Sequence, residues 1–528
     1  MASLLPSLLP GSSPRVYLVD LSVYKPPEDW KCDQRAVAQH WRDTGRYTLE
    51  DIEFQERVYA RSGLSDNRTH LPPWLNPQHC GNEPRTDLAA AEQEARLAMT
   101  GAVQALLDKT GLQPKDVDIL VTTCSIYCPT PSLASLLVNA FGMRPDVQSY
   151  ALGGMGCANG VVAVNLLADL LKARPNCNAL FVTTETTTPA YYQGTDRHRL
   201  VTNLLFRTGA AAVLLSNKPG MGARAKYALR HCVRVHTGAR PEAFGAIHYS
   251  PDAQGINGIY LGKNVVTEAS RGLAMALTKV APHVLTWGQL AEAAAAHVRQ
   301  RLSGGGRRRD AGKGKDGQQL EAAAPSVIKA EASAGPGSNG GGAAPSSPPS
   351  PPAASASAKS SSAATSAPGS GASGPAPYRP NFQQSTIRHF LLHAGGAKVL
   401  DGLGDALQID AGRLGPSRAV LRDYGNVSSS STWYTLAHVE TEVGVRAGER
   451  VMQVGVGSGI KCGVNVWQAL RDVREVHPAW AHLLSPEQRL RLGAPLDVSL
   501  GLQHLLRRLL FAAVVLLLAL VAGRVAGR

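Results

Sequence analysis

Residues 150–160 read YALGGMGCANG and form the most informative stretch of this 528-residue chain. Their glycines predict a tight turn, and the apolar residues Val161, Val164 and Leu167 predict a helix directly after it. Cys157 would then lie at a helix start, where free backbone N–H groups and the helix dipole favour a thiolate. We therefore expect a nucleophilic cysteine of lowered pKa, with a compact buried cysteine at a turn as the alternative.

The chain around this turn alternates between helix and strand. A helical pattern ends at Gly111, a residue typical of helix C-termini, and Pro114 lies just beyond it. Residues 117–123, 179–183 and 210–215 are continuous apolar runs, which indicate buried strands. Buried strands separated by helices predict an α/β sheet that is covered on both faces.

A second α/β half begins near Tyr227, with a helical stretch at 267–277 and strand, helix and strand patterns over 387–470. We therefore predict two similar layered halves, residues 1–225 and 226–480. The second half is interrupted at 303–377, where the chain contains no aromatic residue and very few large apolar ones. Such a segment cannot bury enough surface to offset the entropy of ordering, so we predict a disordered insertion.

Composition narrows the function classes. The chain is 44% hydrophobic and 18% charged, which is ordinary for a globular protein and excludes a wholly disordered or multi-span membrane protein. Its net charge of +14 would attract nucleic acid, anionic lipid or a coenzyme A thioester, but the insertion lacks the interleaved aromatics of a nucleic-acid binder. The eight cysteines are dispersed without zinc-ligand spacing, which predicts a reduced compartment and no metal.

The two ends of the chain differ. Residues 1–14 have no cationic region and contain two prolines, so we predict no signal peptide. Near the other end, within a predicted helix at 499–523, residues 509–522 are 14 apolar residues flanked by arginines. As a helix they reach only about 21 Å, against about 30 Å of hydrocarbon, so a buried or interfacial helix and a membrane anchor are equal alternatives.

Acyl transfer by a thiolate needs an oxyanion hole and a group that handles charge on the second substrate. His393 precedes Gly395 at a predicted strand end, and Asn426 lies in a predicted loop before a helix. Each also fits a purely structural role. The segment GVGSG at 455–459 fails the dinucleotide fingerprint because Ile460 occupies the third glycine position, and we interpret it as a close-approach loop beside a site.

Several longer stretches carry a family resemblance: VYLVDLSVYKPPEDW (16–30), FQERVYARSGL (54–64), GGMGCANGVVAVNLL, residues 195–217, HTGA at His236, HAGG at His393 and YGNVSSSSTWY. In these motifs the chain resembles the plant-type 3-ketoacyl-CoA synthases of very-long-chain fatty acid elongation, in the thiolase-like superfamily. The resemblance covers residues 16–302 and 378 to about 470. It implies a thiolase-like fold of two α/β halves.

The resemblance also implies an acyltransferase mechanism. Cys157 matches the family's acyl-accepting nucleophile, and His393 and Asn426 match the pair that binds the malonyl thioester and promotes its decarboxylation. His389 and His236 match further family histidines. The resulting enolate would attack the acyl thioester and give a 3-ketoacyl-CoA two carbons longer. The oxyanion hole would be formed by backbone N–H groups of the nucleophile and of the loop Gly457, Ser458 and Gly459.

The resemblance further implies the substrates, the partners and the cellular location. The substrates are acyl-CoA and malonyl-CoA without another cofactor, and the partners are elongase reductases, a dehydratase and a second copy in a homodimer. We expect the endoplasmic reticulum membrane with a cytosolic catalytic domain, although the family's two N-terminal membrane helices are absent. Arg422 stands where the family commonly has histidine. A type III polyketide synthase-like enzyme and a catalytically silent elongase scaffold are the alternatives.

Overall fold

The computed structural model describes residues 16–45, 47–305 and 379–492. The apolar run 509–522 and most of the predicted insertion lie outside the described residues. The described residues divide into two units, one of residues 16–290 with 379–492 and one of residues 291–305. The sheet and the site described below belong to the first unit.

The described residues form eleven strands: β1 (Tyr17–Val23), β2 (Ile119–Cys124), β3 (Gln148–Gly153), β4 (Asn178–Glu185), β5 (Gly209–Ser216), β6 (Tyr227–His236), β7 (Ile247–Pro251), β8 (Asn257–Leu261), β9 (Ile387–Leu392), β10 (Arg450–Gly457) and β11 (Lys461–Ala469). They also form fifteen α-helices: α1 (Gln34–Asp43), α2 (Leu49–Ala60), α3 (Pro77–Cys80), α4 (Leu88–Thr110), α5 (Leu133–Phe141), α6 (Asn159–Ala173), α7 (Arg197–Leu205), α8 (Met221–Arg224), α9 (Pro241–Phe244), α10 (Val265–Val284), α11 (Trp287–Gly305), α12 (Ala397–Leu407), α13 (Ala411–Tyr424), α14 (Ser431–His438) and α15 (Pro486–Arg491).

Nine strands form one mixed sheet in the order β3-β2-β4-β5-β1-β6-β11-β10-β9, and β7 and β8 form a separate hairpin. The pairs β2–β3, β2–β4 and β9–β10 are parallel, and the other neighbours in the large sheet are antiparallel. Strands before residue 225 occupy one side of this order and strands after it the other. The α/β prediction is confirmed, while the division into domains at 225/226 stays a prediction.

The apolar runs of the sequence are the sheet's buried strands. Every residue of β2, β4 and β5 is buried, as expected for strands covered on both faces. The predicted helix end is also confirmed: Gly111 adopts a left-handed φ of 70° and its N–H bonds to the Leu107 carbonyl. By contrast, α11 continues to Gly305, so the first three residues of the predicted insertion at 303–377 are helical.

Two buried helices, α6 and α14, meet under the sheet and position the site. α6 is apolar on most of its surface, and all eight residues of α14 are buried. The Trp433 indole N–H donates to the Gly160 carbonyl at 3.1 Å. A Cβ on Gly160 would lie 1.8 Å from the Ser429 carbonyl oxygen, so only glycine permits this approach. The close approach brings the starts of both helices together.

A buried ion cluster, formed by Lys226, Asp20, Glu440, Glu475 and His477, connects β1 and β6 to the end of α14. The Lys226 ammonium lies 2.7 Å from a carboxylate oxygen of each of the three acids. His477 Nε2 lies 2.8 Å from Glu440. Burial disfavours ionisation of Glu440, but Lys226 and His477 outweigh it and hold its pKa well below the usual range. We call this group the ion cluster.

Over residues 16–45, 47–305 and 379–492, no helix combines the length and the hydrophobicity that a transmembrane span requires.

Candidate active site

Cys157 lies in a turn between β3 and α6, as the sequence predicts. Gly154 and Gly156 have left-handed φ values of 64° and 73°, which favour glycine. A Cβ on Gly156 would lie 2.4 Å from the Ser458 backbone nitrogen. The glycine-rich turn therefore holds the thiol two residues before the helix and directly beside the 457–459 loop.

The expected lowering of the cysteine pKa is wrong. Burial, together with the nearby Glu185, raises the pKa of Cys157 to about 12, although the hydrogen bond from Ser428 lowers it. Local dipoles at the helix start favour the thiolate, but the desolvation that the tertiary fold imposes opposes it more strongly.

His393 and Asn426 line the same cavity as Cys157. His393 follows β9, and its Nδ1 lies 2.8 Å from Ser431 Oγ. Burial lowers the pKa of His393 to about 4, so the imidazole is neutral near pH 7. The Asn426 amide is oriented by its oxygen, which accepts from the Ser428 N–H at 2.9 Å. Its Nδ2 lies 3.5 Å from the Gly395 carbonyl, so a second N–H is available to a ligand.

Two cavities meet at Cys157. The larger, of about 720 Å³, is also lined by His393 and Asn426. The smaller, of about 320 Å³, is lined by Glu185 and by apolar and aromatic side chains of α9 and the β7–β8 hairpin. The nucleophile therefore has access to two separate binding spaces.

Basic side chains line the larger cavity: Arg57, Arg61, Arg197, Lys263 and Lys398. Arg197 is engaged with Glu50 and Asp51 of α2, and Arg57 with Glu53 of the same helix. These five residues are scattered along the sequence, so only the fold shows that their charges share one cavity. A cationic lining of this kind suits an anionic ligand.

The predicted oxyanion loop and His236 line the smaller cavity. Its lining includes His236, Ser458, Gly459 and Lys461. A Cβ on Gly457 would lie 2.7 Å from the Cys157 backbone nitrogen, so the close approach predicted for this loop is confirmed. Burial and then Lys461 lower the pKa of His236, while the Gly459 carbonyl opposes them. The oxyanion role of the loop stays a prediction.

His389 is not brought to the nucleophile. Its Nε2 lies 2.9 Å from Glu449, and it lines neither cavity. His389 and His393 are four residues apart, which in a strand separates them by about 13 Å. We therefore correct its assignment as a site residue.

Arg422, the departure from the family pattern, also lies outside both cavities. Its guanidinium donates two hydrogen bonds to Asp423, at 2.7 and 2.8 Å. Asp423 is buried, and it also contacts Arg68 and His482. Arg422 therefore neutralises a buried carboxylate and does not contact the reacting groups.

Sequence reasoning missed two residues beside the thiol. Ser428 Oγ lies 3.2 Å from Cys157 Sγ and 2.7 Å from Glu185 Oε2. Ser428 has a left-handed φ of 50°, a strained conformation that in non-glycine residues often marks functional sites. A carboxylate that ends a strand built around an apolar run, as Glu185 ends β4, is the signal that sequence reasoning overlooked.

Among the described residues, only Glu440, Glu475 and His477 are spaced as the ligands of a metal ion would be. The Lys226 ammonium already lies 2.7 Å from both carboxylates. The cation in this cluster is therefore a lysine side chain. All eight cysteines are free thiols.

Comparison with known proteins identifies the family of the chain. Residues 11–302 match the family described as FAE1/Type III polyketide synthase-like protein, and residues 384–470 match the C-terminal domain of chalcone and stilbene synthases. 3-ketoacyl-CoA synthase 6 of Arabidopsis thaliana is 35% identical over 466 residues, which cover 88% of this chain and 78% of that protein. 3-ketoacyl-CoA synthase 4 of the same plant is 34% identical over 459 residues, 87% of this chain and 75% of that protein.

Among solved structures, 1,3,6,8-tetrahydroxynaphthalene synthase of Streptomyces coelicolor A3(2), a bacterial type III polyketide synthase, matches with a TM-score of 0.58. The match covers 86% of this chain and 99% of that chain at 20% identity, so it supports the fold alone. The thiolase-like fold is thereby confirmed. Both family matches and the curated relatives lead to one conclusion: the chain belongs to the FAE1/type III polyketide synthase-like family, together with the 3-ketoacyl-CoA synthases.

Proposed function

We propose that the protein is a 3-ketoacyl-CoA synthase, an acyltransferase that condenses an acyl-CoA with malonyl-CoA and lengthens the acyl chain by two carbons. The observation that carries the proposal is the junction at Cys157 of one cavity that holds His393 and Asn426 and another that holds neither. One cavity then serves the malonyl thioester and the other the acyl chain. No further cofactor is needed.

In the first half-reaction, the Cys157 sulfur attacks the acyl thioester and coenzyme A leaves. The smaller cavity suits the acyl chain because Ile126, Phe244 and Ile259 line it. The basic lining of the larger cavity suits the phosphates of coenzyme A, which each substrate carries. The acyl oxyanion would be stabilised by the N–H groups of Cys157 and of residues 457–459.

In the second half-reaction, malonyl-CoA loses carbon dioxide and the resulting enolate attacks the acyl-enzyme. Charge develops on the thioester oxygen, and the neutral His393 ring and the Asn426 amide would stabilise it by donating N–H groups. This role requires the Nε2–H tautomer of His393, in which the Ser431 hydroxyl turns its proton from the Ser428 carbonyl to Nδ1. Neither donor has to ionise, which agrees with a pKa of about 4 for His393.

The cellular setting is part of the same proposal. Two observations support it: the named relatives are plant 3-ketoacyl-CoA synthases, and the chain contains the apolar run 509–522. We propose attachment to the endoplasmic reticulum membrane, a cytosolic catalytic domain, a homodimer, and cooperation with elongase reductases and a dehydratase. Truncation after Arg508 should release the protein from alkaline-washed membranes, whereas unchanged retention would contradict attachment through 509–522.

The activity is tested by incubating the full chain with labelled malonyl-CoA and a panel of acyl-CoA primers. A 3-ketoacyl-CoA with two added carbons, formed together with one carbon dioxide, supports the proposal. A cyclised polyketide would identify a type III polyketide synthase-like enzyme instead. Absence of any product with every primer, from folded protein, would favour a silent scaffold.

A further inference from the structure

A buried arginine, Arg207, lies next to the site without a counterion. It is 2% exposed. Among the described residues, its guanidinium donates to the Thr69 hydroxyl and to the Asn203 and Phe206 carbonyls, and it has no carboxylate partner. Burying a cation in this way is unfavourable, because neutral acceptors replace the lost water only in part. A contribution to stability alone therefore does not account for this arginine.

The described residues contain one other buried arginine, and its environment differs. Arg199 is paired with the Asp196 carboxylate and also donates to the β7–β8 hairpin. Pairing of this kind is the usual condition for burying an arginine in a fold. Arg207 follows the other end of α7, where its guanidinium binds carbonyl groups of the last turn. The contrast indicates a local task for Arg207 at the end of this helix.

The chain segment that Arg207 holds is joined to Asn426 by main-chain hydrogen bonds. The Asn426 N–H donates to the Leu205 carbonyl at 2.8 Å, and the Arg207 N–H donates to the Asn426 carbonyl at 3.1 Å. These two bonds make Phe206 and Asn426 a parallel bridge pair. The position of Asn426 therefore depends on the conformation of residues 205–207.

The Arg207 side chain also packs against the residue before Asn426. Gly425 has a left-handed φ of 70°, and a Cβ there would lie 2.6 Å from the Arg207 Cγ. The stem of the arginine occupies the space that a side chain at position 425 would fill. Arg207 thus contacts residues 425 and 426 through both its side chain and its main chain.

We propose that Arg207 is a positioning residue for the decarboxylation step, which fixes residues 205–207 and, through them, the Asn426 amide that donates to the enolate oxygen. The inference rests on the proposed function of Asn426. Arg207 lines neither cavity, so it acts without contacting the substrate. Phe206, whose carbonyl the guanidinium binds, lines both cavities, so the fixed segment lies where they meet. A displacement of about 1 Å in such a place slows chemistry by about a hundredfold.

The test measures carbon dioxide release from labelled malonyl-CoA by full-length protein that has first been acylated at Cys157. Arg207→Met keeps an apolar stem and removes the donors to the Asn203 and Phe206 carbonyls. We expect its maximal rate to fall by about ten- to a hundredfold. The malonyl-CoA concentration at half-saturation should stay unchanged, because the basic side chains that suit the coenzyme A phosphates remain in the larger cavity.

A second substitution, Asn426→Ala, separates positioning from a general structural role. If Arg207 acts through the Asn426 amide, Arg207→Met should cause no further loss of rate in an Asn426→Ala background. Two independent effects would multiply instead. A charge that stabilised the enolate directly through space would also act without the amide. Losses that multiply would therefore overturn the proposal.

Lys226→Met is the matched control, because it also replaces a buried cation with methionine but changes the ion cluster. It should leave the rate of decarboxylation per folded molecule unchanged, with thermal melting giving the folded fraction of each variant. An equal loss of rate in Lys226→Met, or an unchanged rate in Arg207→Met, would refute the positioning role.

Two further results are kept apart by the design. If Arg207→Met does not fold, Arg207→Gln, whose amide can donate to one of the two carbonyls, enters the same double substitution with Asn426→Ala, and multiplying losses would again overturn the proposal. If the unchanged protein formed no adduct on Cys157, or its acyl-enzyme released no carbon dioxide, the proposed function itself would fail.

Discussion

Two buried polar groups in the same unit have opposite electrostatic character. In the ion cluster, three carboxylates surround Lys226 and keep the pKa of Glu440 low, so the partners remain ionised. Around Cys157, burial acts without an opposite charge nearby, and it raises the pKa of the thiol and lowers that of His393. A buried charge that is paired with an opposite charge forms a rigid structural connection. A buried group without such a partner is held neutral and can exchange protons with a substrate.

The strongest test of this comparison removes the sulfur. Cys157→Ala should abolish acyl-enzyme formation and condensation, because no other described thiol joins both cavities. Mass spectrometry after exposure to a long-chain acyl-CoA should locate the adduct on the Cys157 peptide of the unchanged protein. Cys128→Ala, which removes an exposed thiol, should keep both the adduct and the activity. An adduct on Cys124, Cys128 or Cys462, with Cys157→Ala still condensing, would contradict the assignment.

Breaking the ion cluster should lower the free energy of unfolding without a specific loss of catalytic activity. Lys226→Met leaves Glu440 buried without its cation, and breaking a buried pair in this way costs about 3–5 kcal/mol. Urea unfolding at pH 7 should measure that loss. Lys172→Met removes an exposed pair with Asp169 and should change the free energy of unfolding by less than about 1 kcal/mol. Equal losses in the free energy of unfolding for the two variants would contradict the distinction between the ion cluster and the groups around Cys157.

Replacing the proposed malonyl pair should slow one half-reaction selectively. His393→Ala and Asn426→Ala each remove a donor from the proposed enolate site, and such a loss slows chemistry by about a hundred- to a thousandfold, or about 2.7–4 kcal/mol. Carbon dioxide release from labelled malonyl-CoA should fall by this factor. Acylation of Cys157 should continue, because it uses other groups. Lost acylation with retained decarboxylation would reverse the proposed roles.

Local patterns in the sequence predicted the fold and the nucleophile well. The apolar runs became β2, β4 and β5, and the glycine turn with left-handed Gly154 and Gly156 became the nucleophile loop. These features depend on neighbouring residues, whose spacing is visible in the chain. The family motifs supplied His393 and Asn426, which local spacing alone left open.

What the sequence did not predict depends on distant contacts. Ser428 and Glu185 are separated by 243 positions, and the packing of the turn 428–430 against β4 and α6 brings them together. The pKa of Cys157 was predicted in the wrong direction because desolvation is a property of the whole fold. His389 was assigned to the site by motif, yet β9 directs it to Glu449.

The smallest expected effect extends the comparison to a third buried position, His70. Neither ring nitrogen of His70 has a hydrogen-bond partner among the described residues, and the ring stacks on Tyr424 at 6.1 Å between centroids. Burial lowers its pKa to about 4 from 6.5. The unfolded state therefore binds a proton that the native state refuses, and stability falls as pH drops from 6.5 towards 4, at up to about 1.4 kcal/mol per pH unit.

His70→Leu removes this titration while it keeps an apolar side chain against Tyr424. Urea unfolding measured between pH 7 and pH 4.5 should then give a shallower acid loss of stability than in the unchanged protein, by at most one proton. His393 and His438, whose pKa values are also lowered by burial to about 4, titrate in both proteins, so their contributions cancel in the difference between the two slopes. An unchanged slope would mean that His70 accepts a proton in the native state, and burial without a partner would then not suffice to keep a side chain neutral in this protein.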